Sequence, residues 1–221
     1  MLSKAKQKEA LRLLAQAYPD AGPALQFRSP FELLVATMLS AQCTDKQVNR
    51  CTSVLFPIAN TPAAFAAMTQ EALFPYIKSC GFYRMKGKHI IETAQILVTQ
   101  YGGEVPRDRD ELTKLPGVGR KTANVVVSNA FDIPAIAVDT HVFRVANRIG
   151  LAEATTVEKT ERQLMANIPE ADWGKAHHWL IYHGRQVCAA QRPKCEICPL
   201  IGLCRSFPLQ KGGAKETAAK K

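Results

Sequence analysis

The chain has 221 residues, 29 of them Lys or Arg against 19 Asp or Glu, for a formal charge of +10; 47% of residues are hydrophobic and seven are Cys. That apolar fraction excludes a wholly disordered chain and suffices for one large core or two small ones. No run approaches the roughly 18 consecutive apolar residues of a membrane span, and an odd cysteine count without a secretion signal argues against an extracellular disulfide scaffold. The charge excess has a plain reading as a solvated basic surface and a sharper one as a surface for a polyanion, since clustered Lys and Arg displace the counterions condensed on nucleic acid.

In chain order, the N-terminal residues read as an amphipathic helix. Lys4, Lys6 and Lys8 imitate the start of a signal peptide, but Glu9, Arg12 and Gln16 interrupt the apolar segment it would need. Ser29-Pro30-Phe31-Glu32 has the form of a capping box with proline at the first helical position, and Phe31, Leu34, Met38 and Leu39 follow at helical spacing. Thr44 and Gln47 repeat the signature ahead of Val48, Cys51 and Leu55. Short helices are predicted at about 62–69, 71–79, 85–101 and 108–114, punctuated by Pro62, Gly81, Gly102-Gly103 and Pro106. A further helix runs from Thr122 to Phe131, and another carries the stripe Val142, Val145, Ala146 and Ile149. The apolar run Ala135 to Val138 is too short to build a sheet, so the fold class is all-α. From about residue 205, Arg205, Lys211, Lys215, Lys220 and Lys221 stand against Glu216 with no apolar period, which predicts a mobile basic tail.

Chemistry concentrates in three places. Leu115-Pro116-Gly117-Val118-Gly119-Arg120-Lys121 joins two helical patterns, and its glycines permit a tight hairpin. Because the hairpin opens a helix, its N–H groups form a concavity suited to a phosphate, with Lys114, Arg120 and Lys121 beside it. Lys121 reads as a solvated lysine or as an amine nucleophile; the first turn of a helix favours the second, because positive potential there disfavours the protonated amine. Asp139 precedes the Val142 stripe, where an N-cap would explain it fully; a carboxylate there can also stabilise a cation or relay a proton. Finally, Cys188, Cys195, Cys198 and Cys204 give C-x6-C-x2-C-x5-C, a metal-site spacing that leaves zinc and an iron–sulfur centre both open. Arg192 and Lys194 lie in the loop between the first two of these cysteines, while Cys43, Cys51 and Cys80 are expected to be buried packing residues.

The run Leu115 to Asn124, then Val138-Asp139-Thr140-His141-Val142-Phe143-Arg144-Val145, then the four-cysteine spacing, in this order, resembles the endonuclease III family of helix-hairpin-helix DNA glycosylases, over nearly the whole chain from about residue 20 to Cys204. The resemblance implies two helical domains: a six-helix barrel at 23–133 containing the hairpin, and a cluster domain from 1–22 with 134–221. It implies a [4Fe–4S] cluster on Cys188, Cys195, Cys198 and Cys204. It further implies a bifunctional base-excision enzyme, acting as a cytoplasmic, nucleoid-associated monomer on duplex DNA that contains damaged pyrimidines or abasic sites. Lys121 would be its nucleophile and Asp139 its assisting carboxylate. Gly117, Val118, Gly119, Arg120 and His141 would contact DNA, together with Arg192 and Lys194. Gln42 matches the family residue that fills the vacated stack, and Phe82 stands at the wedge position, where the family more usually has an aliphatic residue. The rival readings are a monofunctional mismatch glycosylase of the same superfamily, disfavoured by Lys121 and by only 17 residues after Cys204, and a non-catalytic DNA-binding or electron-transfer iron–sulfur protein.

Overall fold

The protein is described from a computed structural model covering residues 1–207. It contains eleven α-helices among those residues and no strand: α1 (Lys4–Ala17), α2 (Pro30–Ser40), α3 (Asp45–Leu55), α4 (Pro62–Ala66), α5 (Gln70–Ile77), α6 (Tyr83–Gln100), α7 (Arg109–Thr113), α8 (Arg120–Ala130), α9 (Thr140–Ile149), α10 (Val157–Asn167) and α11 (Trp173–Gln186). Side-chain caps start most of them. Ser29, Thr44, Thr61, Thr69, Asp108, Asp139 and Thr156 each accept an N–H from the first turn of the helix that follows.

Two expected capping boxes close only halfway. The Ser29 hydroxyl accepts the Glu32 N–H at 3.1 Å, but the Glu32 carboxylate accepts from the Arg28 N–H instead of the Ser29 one. Thr44 caps Gln47 similarly, whereas the Gln47 side chain donates to Ser79 at 2.7 Å. A neighbouring backbone N–H in the first case and a tertiary partner in the second outcompete the reciprocal bond. Similarly, α2 is not amphipathic: every residue from Phe31 to Leu39 is buried, as befits a central helix apolar on all sides.

The chain divides into two compact units. Pro23–Ala135 holds α2 to α8 around a core that includes Leu33, Leu34, Phe65, Leu73, Ile90, Leu97, Leu112 and Val126. Met1–Gly22 combines with the chain from Ile136 onward, packing α1, α9, α10 and α11 around Leu14, Val142, Val145, Ile149, Leu164 and Leu180. The expected tail falls outside the described residues except for its first three. Those three are held: the Arg205 N–H donates to Ile149 O, its guanidinium pairs with Glu153 at 2.8 Å, the Ser206 N–H donates to Arg148 O and the Phe207 N–H to Cys204 O. This unit therefore continues past Cys204.

Candidate functional site

Within the Pro23–Ala135 unit, the segment between α7 and α8 forms the hairpin. Gly117 has φ +74°, and a Cβ there would stand 2.7 Å from His89 Nδ1 and 3.0 Å from His89 Cβ, so glycine is required both by the backbone and by the neighbour. Gly119 is different: it N-caps α8 at φ −87°, and a Cβ would meet nothing within 4 Å. Glycine there is demanded neither by conformation nor by packing, and it leaves the face in front of the first turn of α8 open. Val118 is buried at 4% exposure and its N–H donates to Leu115 O. Its side chain therefore anchors the hairpin in the core. Arg120 and Lys121 are exposed in the first turn of α8, which carries no acidic residue.

Two further exposed side chains sit on strained backbone in the same unit. Gln42 follows α2 at φ +52°, and Phe82 starts α6 at φ +59° and is 69% exposed. Left-handed backbone costs a non-glycine residue about 1–2 kcal/mol, and such strain persists where the surroundings fix it. The two loops adjoin, since a Cβ at Gly81 would lie 3.6 Å from Gln42 O. Cys51 and Cys80 are buried here with their sulfurs 3.7 Å apart, and Cys43 is half-buried against the same core.

In the other unit, Asp139 Oδ1 accepts the Val142 N–H at 2.7 Å, which fixes the carboxylate at the start of α9. One turn on, Arg144 donates from Nη2 to His141 Nδ1 at 3.2 Å and to Gly184 O at 3.0 Å. Since arginine only donates, His141 carries its ring proton on Nε2. Arg144 Nε also reaches Cys188 O, and Arg148 binds Ala189 O at 2.7 Å and Ala190 O at 2.9 Å. Thus the helix that positions Asp139 also holds the entrance of the cysteine loop.

All four cysteines line one pocket, together with His183, Ile149, Leu200 and Phe207. No three of the described His, Cys, Asp and Glu side chains converge on a point that a single ion would occupy. Burial pushes the Cys198 thiol up to about 11, with neighbouring cysteines adding to the rise and the Leu200 N–H opposing it; burial raises Cys195 and Cys204 too. Thiols so placed become thiolates when a cationic centre replaces their protons. His183, 1% exposed, lies with Nε2 3.6 Å from Cys198 Sγ and Nδ1 3.0 Å from the Tyr18 hydroxyl. Burial holds its pKa down to about 4, so the ring is neutral, and beside a thiolate its proton belongs on Nε2. Arg192, at φ +49°, and Lys194 are exposed on the loop between the first two cysteines.

The HhH-GPD family model, described as "HhH-GPD superfamily base excision DNA repair protein", matches residues 35–170. The chain belongs to this superfamily. Endonuclease III of Escherichia coli K12 is 49% identical over 203 residues, 92% of this chain and 96% of that protein. Endonuclease III of Bacillus subtilis 168 is 50% identical over 206 residues, 93% and 94% of the two chains. The solved structure of a non-covalent endonuclease III–DNA complex is similar with a TM-score of 0.92 at 49% identity, over 96% of this chain and 100% of that one. A trapped endonuclease III–DNA covalent intermediate gives 0.91 at 50%, with the same coverage.

As an HhH-GPD protein, the chain distributes its candidate residues over both units. Lys121, the hairpin, Gln42 and Phe82 belong to Pro23–Ala135, and Asp139, His141 and the four cysteines to the other unit. Residues without any sequence signal also take part. Lys86, Thr93 and His89 support the loops of the first unit, and Arg144, Arg148, His183 and Tyr18 surround the cysteine loop of the second. The only trace in the sequence is a cluster of His and Arg at helical spacing on α9 and α11. Among the described residues no helix is long and apolar enough to cross a membrane.

Proposed function

We propose that this protein is a bifunctional base-excision enzyme of the endonuclease III type, a DNA glycosylase and AP lyase acting on oxidised pyrimidines and abasic sites in duplex DNA. The observation that carries the reading is Lys121, exposed in the first turn of α8 behind a hairpin whose open Gly119 face leaves room for a phosphate. The damaged base leaves the stack, at a cost reduced by its weakened pairing. The neutral Lys121 Nζ attacks the sugar C1′, the glycosidic bond breaks, and the base departs with a proton. The C1′–O4′ bond of the resulting aminal then breaks, O4′ taking a proton from solvent to become a hydroxyl as C1′ forms a protonated imine with Nζ. The imine draws electrons from C2′, loss of a C2′ proton expels the 3′ phosphate by β-elimination, and water releases the enzyme from the sugar fragment. Asp139, with one oxygen held by the α9 cap, supplies the fixed negative charge that stabilises the cationic sugar.

Cys188, Cys195, Cys198 and Cys204 would hold a [4Fe–4S] cluster. Four thiols lining one pocket, in the spacing C-x6-C-x2-C-x5-C with only one close pair, supply the donor set that such a cluster takes. Such a cluster would serve as a scaffold for the basic loop bearing Arg192 and Lys194, and the bonds made and broken at Lys121 involve none of its ligands. The site of action would be chromosomal DNA in the cytoplasm.

Borohydride reduction of the imine tests the assignment. The wild type is expected to be trapped covalently on a duplex with an abasic site, and Lys121→Gln to bind that duplex without being trapped. Equal trapping of the variant would remove Lys121 from the chemistry.

A further inference from the structure

Lys86 is 8% exposed and lies in the core of the Pro23–Ala135 unit, where no acidic partner among the described residues meets it. Its Nζ donates to Leu39 O at 2.8 Å and to Ala41 O at 2.7 Å, the carbonyls at the end of α2. A cation on the last carbonyls of a helix satisfies groups that would otherwise be orphaned. The residue immediately after the second of these carbonyls is Gln42, turned outward at φ +52°. Lys86 also lies one turn into α6 from Phe82, whose carbonyl accepts the Lys86 N–H at 3.1 Å.

The same face of α6 continues this role. Phe82, Lys86, His89 and Thr93 are spaced four, three and four residues apart, which places them in one stripe. His89 packs against Gly117, and Thr93 donates to Pro116 O at 3.1 Å. One helix therefore supports the Phe82 turn, the Gln42 turn and the hairpin before Lys121, and Lys86 is the only cation in the stripe. Keeping an ammonium in a core is costly, as its burial-lowered pKa attests, and a neutral side chain would fill the space without that cost.

We propose that Lys86 is a positioning residue for lesion recognition: by clamping the end of α2 to α6 it holds Gln42 and Phe82 in register as adjacent probes of the DNA stack. This rests on the reading of Gln42 as a DNA-probing side chain. Lys86 itself touches no DNA, so its contribution passes through Gln42 and is absent from undamaged duplex, where no gap is filled.

A double-mutant cycle tests it, using a duplex with a stable tetrahydrofuran abasic analogue opposite 2-aminopurine and the same duplex undamaged. Lys86→Met is expected to weaken binding to the abasic duplex about tenfold, to leave undamaged binding unchanged, and to alter the 2-aminopurine fluorescence of the complex. In the double variant, Lys86→Met adds little to Gln42→Ala, because the two changes remove one interaction. Equal weakening on both duplexes, or effects that multiply independently, would overturn the proposal, as would unchanged binding by Lys86→Met when Gln42→Ala is impaired. An unimpaired Gln42→Ala instead overturns the reading of Gln42, and the coupling with it. Should Lys86→Met unfold, Lys86→Gln, which retains an N–H pair for the two carbonyls, carries the same cycle, with partial restoration expected.

Discussion

The two hairpin glycines do different work, and alanine at each separates folding from binding. At Gly117 an alanine must adopt φ +74°, which costs about 1–2 kcal/mol. Its methyl would also stand 2.7 Å from His89 Nδ1 and 3.0 Å from His89 Cβ. The ring can rotate, but the Cβ is fixed to α6, so relief requires movement of the hairpin or helix and adds about 1–2 kcal/mol. Gly117→Ala is therefore expected to destabilise the Pro23–Ala135 unit by about 2–4 kcal/mol, a fall of about 8–16 °C in melting temperature at about 4 °C per kcal/mol. At Gly119, φ is −87° and the added methyl meets nothing, so the loss is only that of replacing glycine by alanine at an N-cap, under about 1 kcal/mol. The same methyl, however, projects in front of the first turn of α8. A phosphate held there by charge-assisted N–H bonds would lose about 1.5–3 kcal/mol, or about 10- to 100-fold in Kd. Urea or thermal denaturation measures the first quantity and fluorescence anisotropy with duplex DNA the second. A stable Gly117→Ala would refute the steric argument, and Gly119→Ala binding like wild type would show that no backbone of DNA approaches the hairpin.

Neutralising Arg192 and Lys194 together should weaken binding across DNA sequences and reduce the slope of log Kd against log salt by about two; an unchanged slope would place the cysteine loop away from DNA. Replacing His183 with Phe removes the N–H aimed at Cys198, so the reduction potential of a cluster there should become more negative in film voltammetry, with visible absorbance retained. Burial holds His178 down to about 4, below the ordinary value of about 6.5. The unfolded chain therefore takes up a proton first on acidification. Stability should fall between about pH 6.5 and 4 by at most about 1.4 kcal/mol per pH unit from this residue, and His178→Asn should flatten that slope in urea titrations.

Much of this protein is written locally in its sequence. Ser, Thr and Asp caps followed by 3.6-residue stripes placed α2, α3 and α9, and Pro and Gly punctuated the helices between, because capping and backbone freedom act within a few residues. The hairpin, Asp139 and the cysteine spacing were legible for the same reason: each needs particular residue types at short separations. The uniform burial of α2 was not legible, since its position at the centre depends on the helices that surround it. Nor did sequence distinguish Gly117, confined by His89 some thirty positions away, from Gly119, which faces open space, or reveal that Val118 points inward. Lys86, Arg148 and His183 carry no local signature because their partners are carbonyls, a hydroxyl and a sulfur on other segments. Sequence by itself determined which chemistry the chain can carry; the tertiary structure decided which side chains hold it in place, because burial and hydrogen bonding between distant segments exist only once the helices pack.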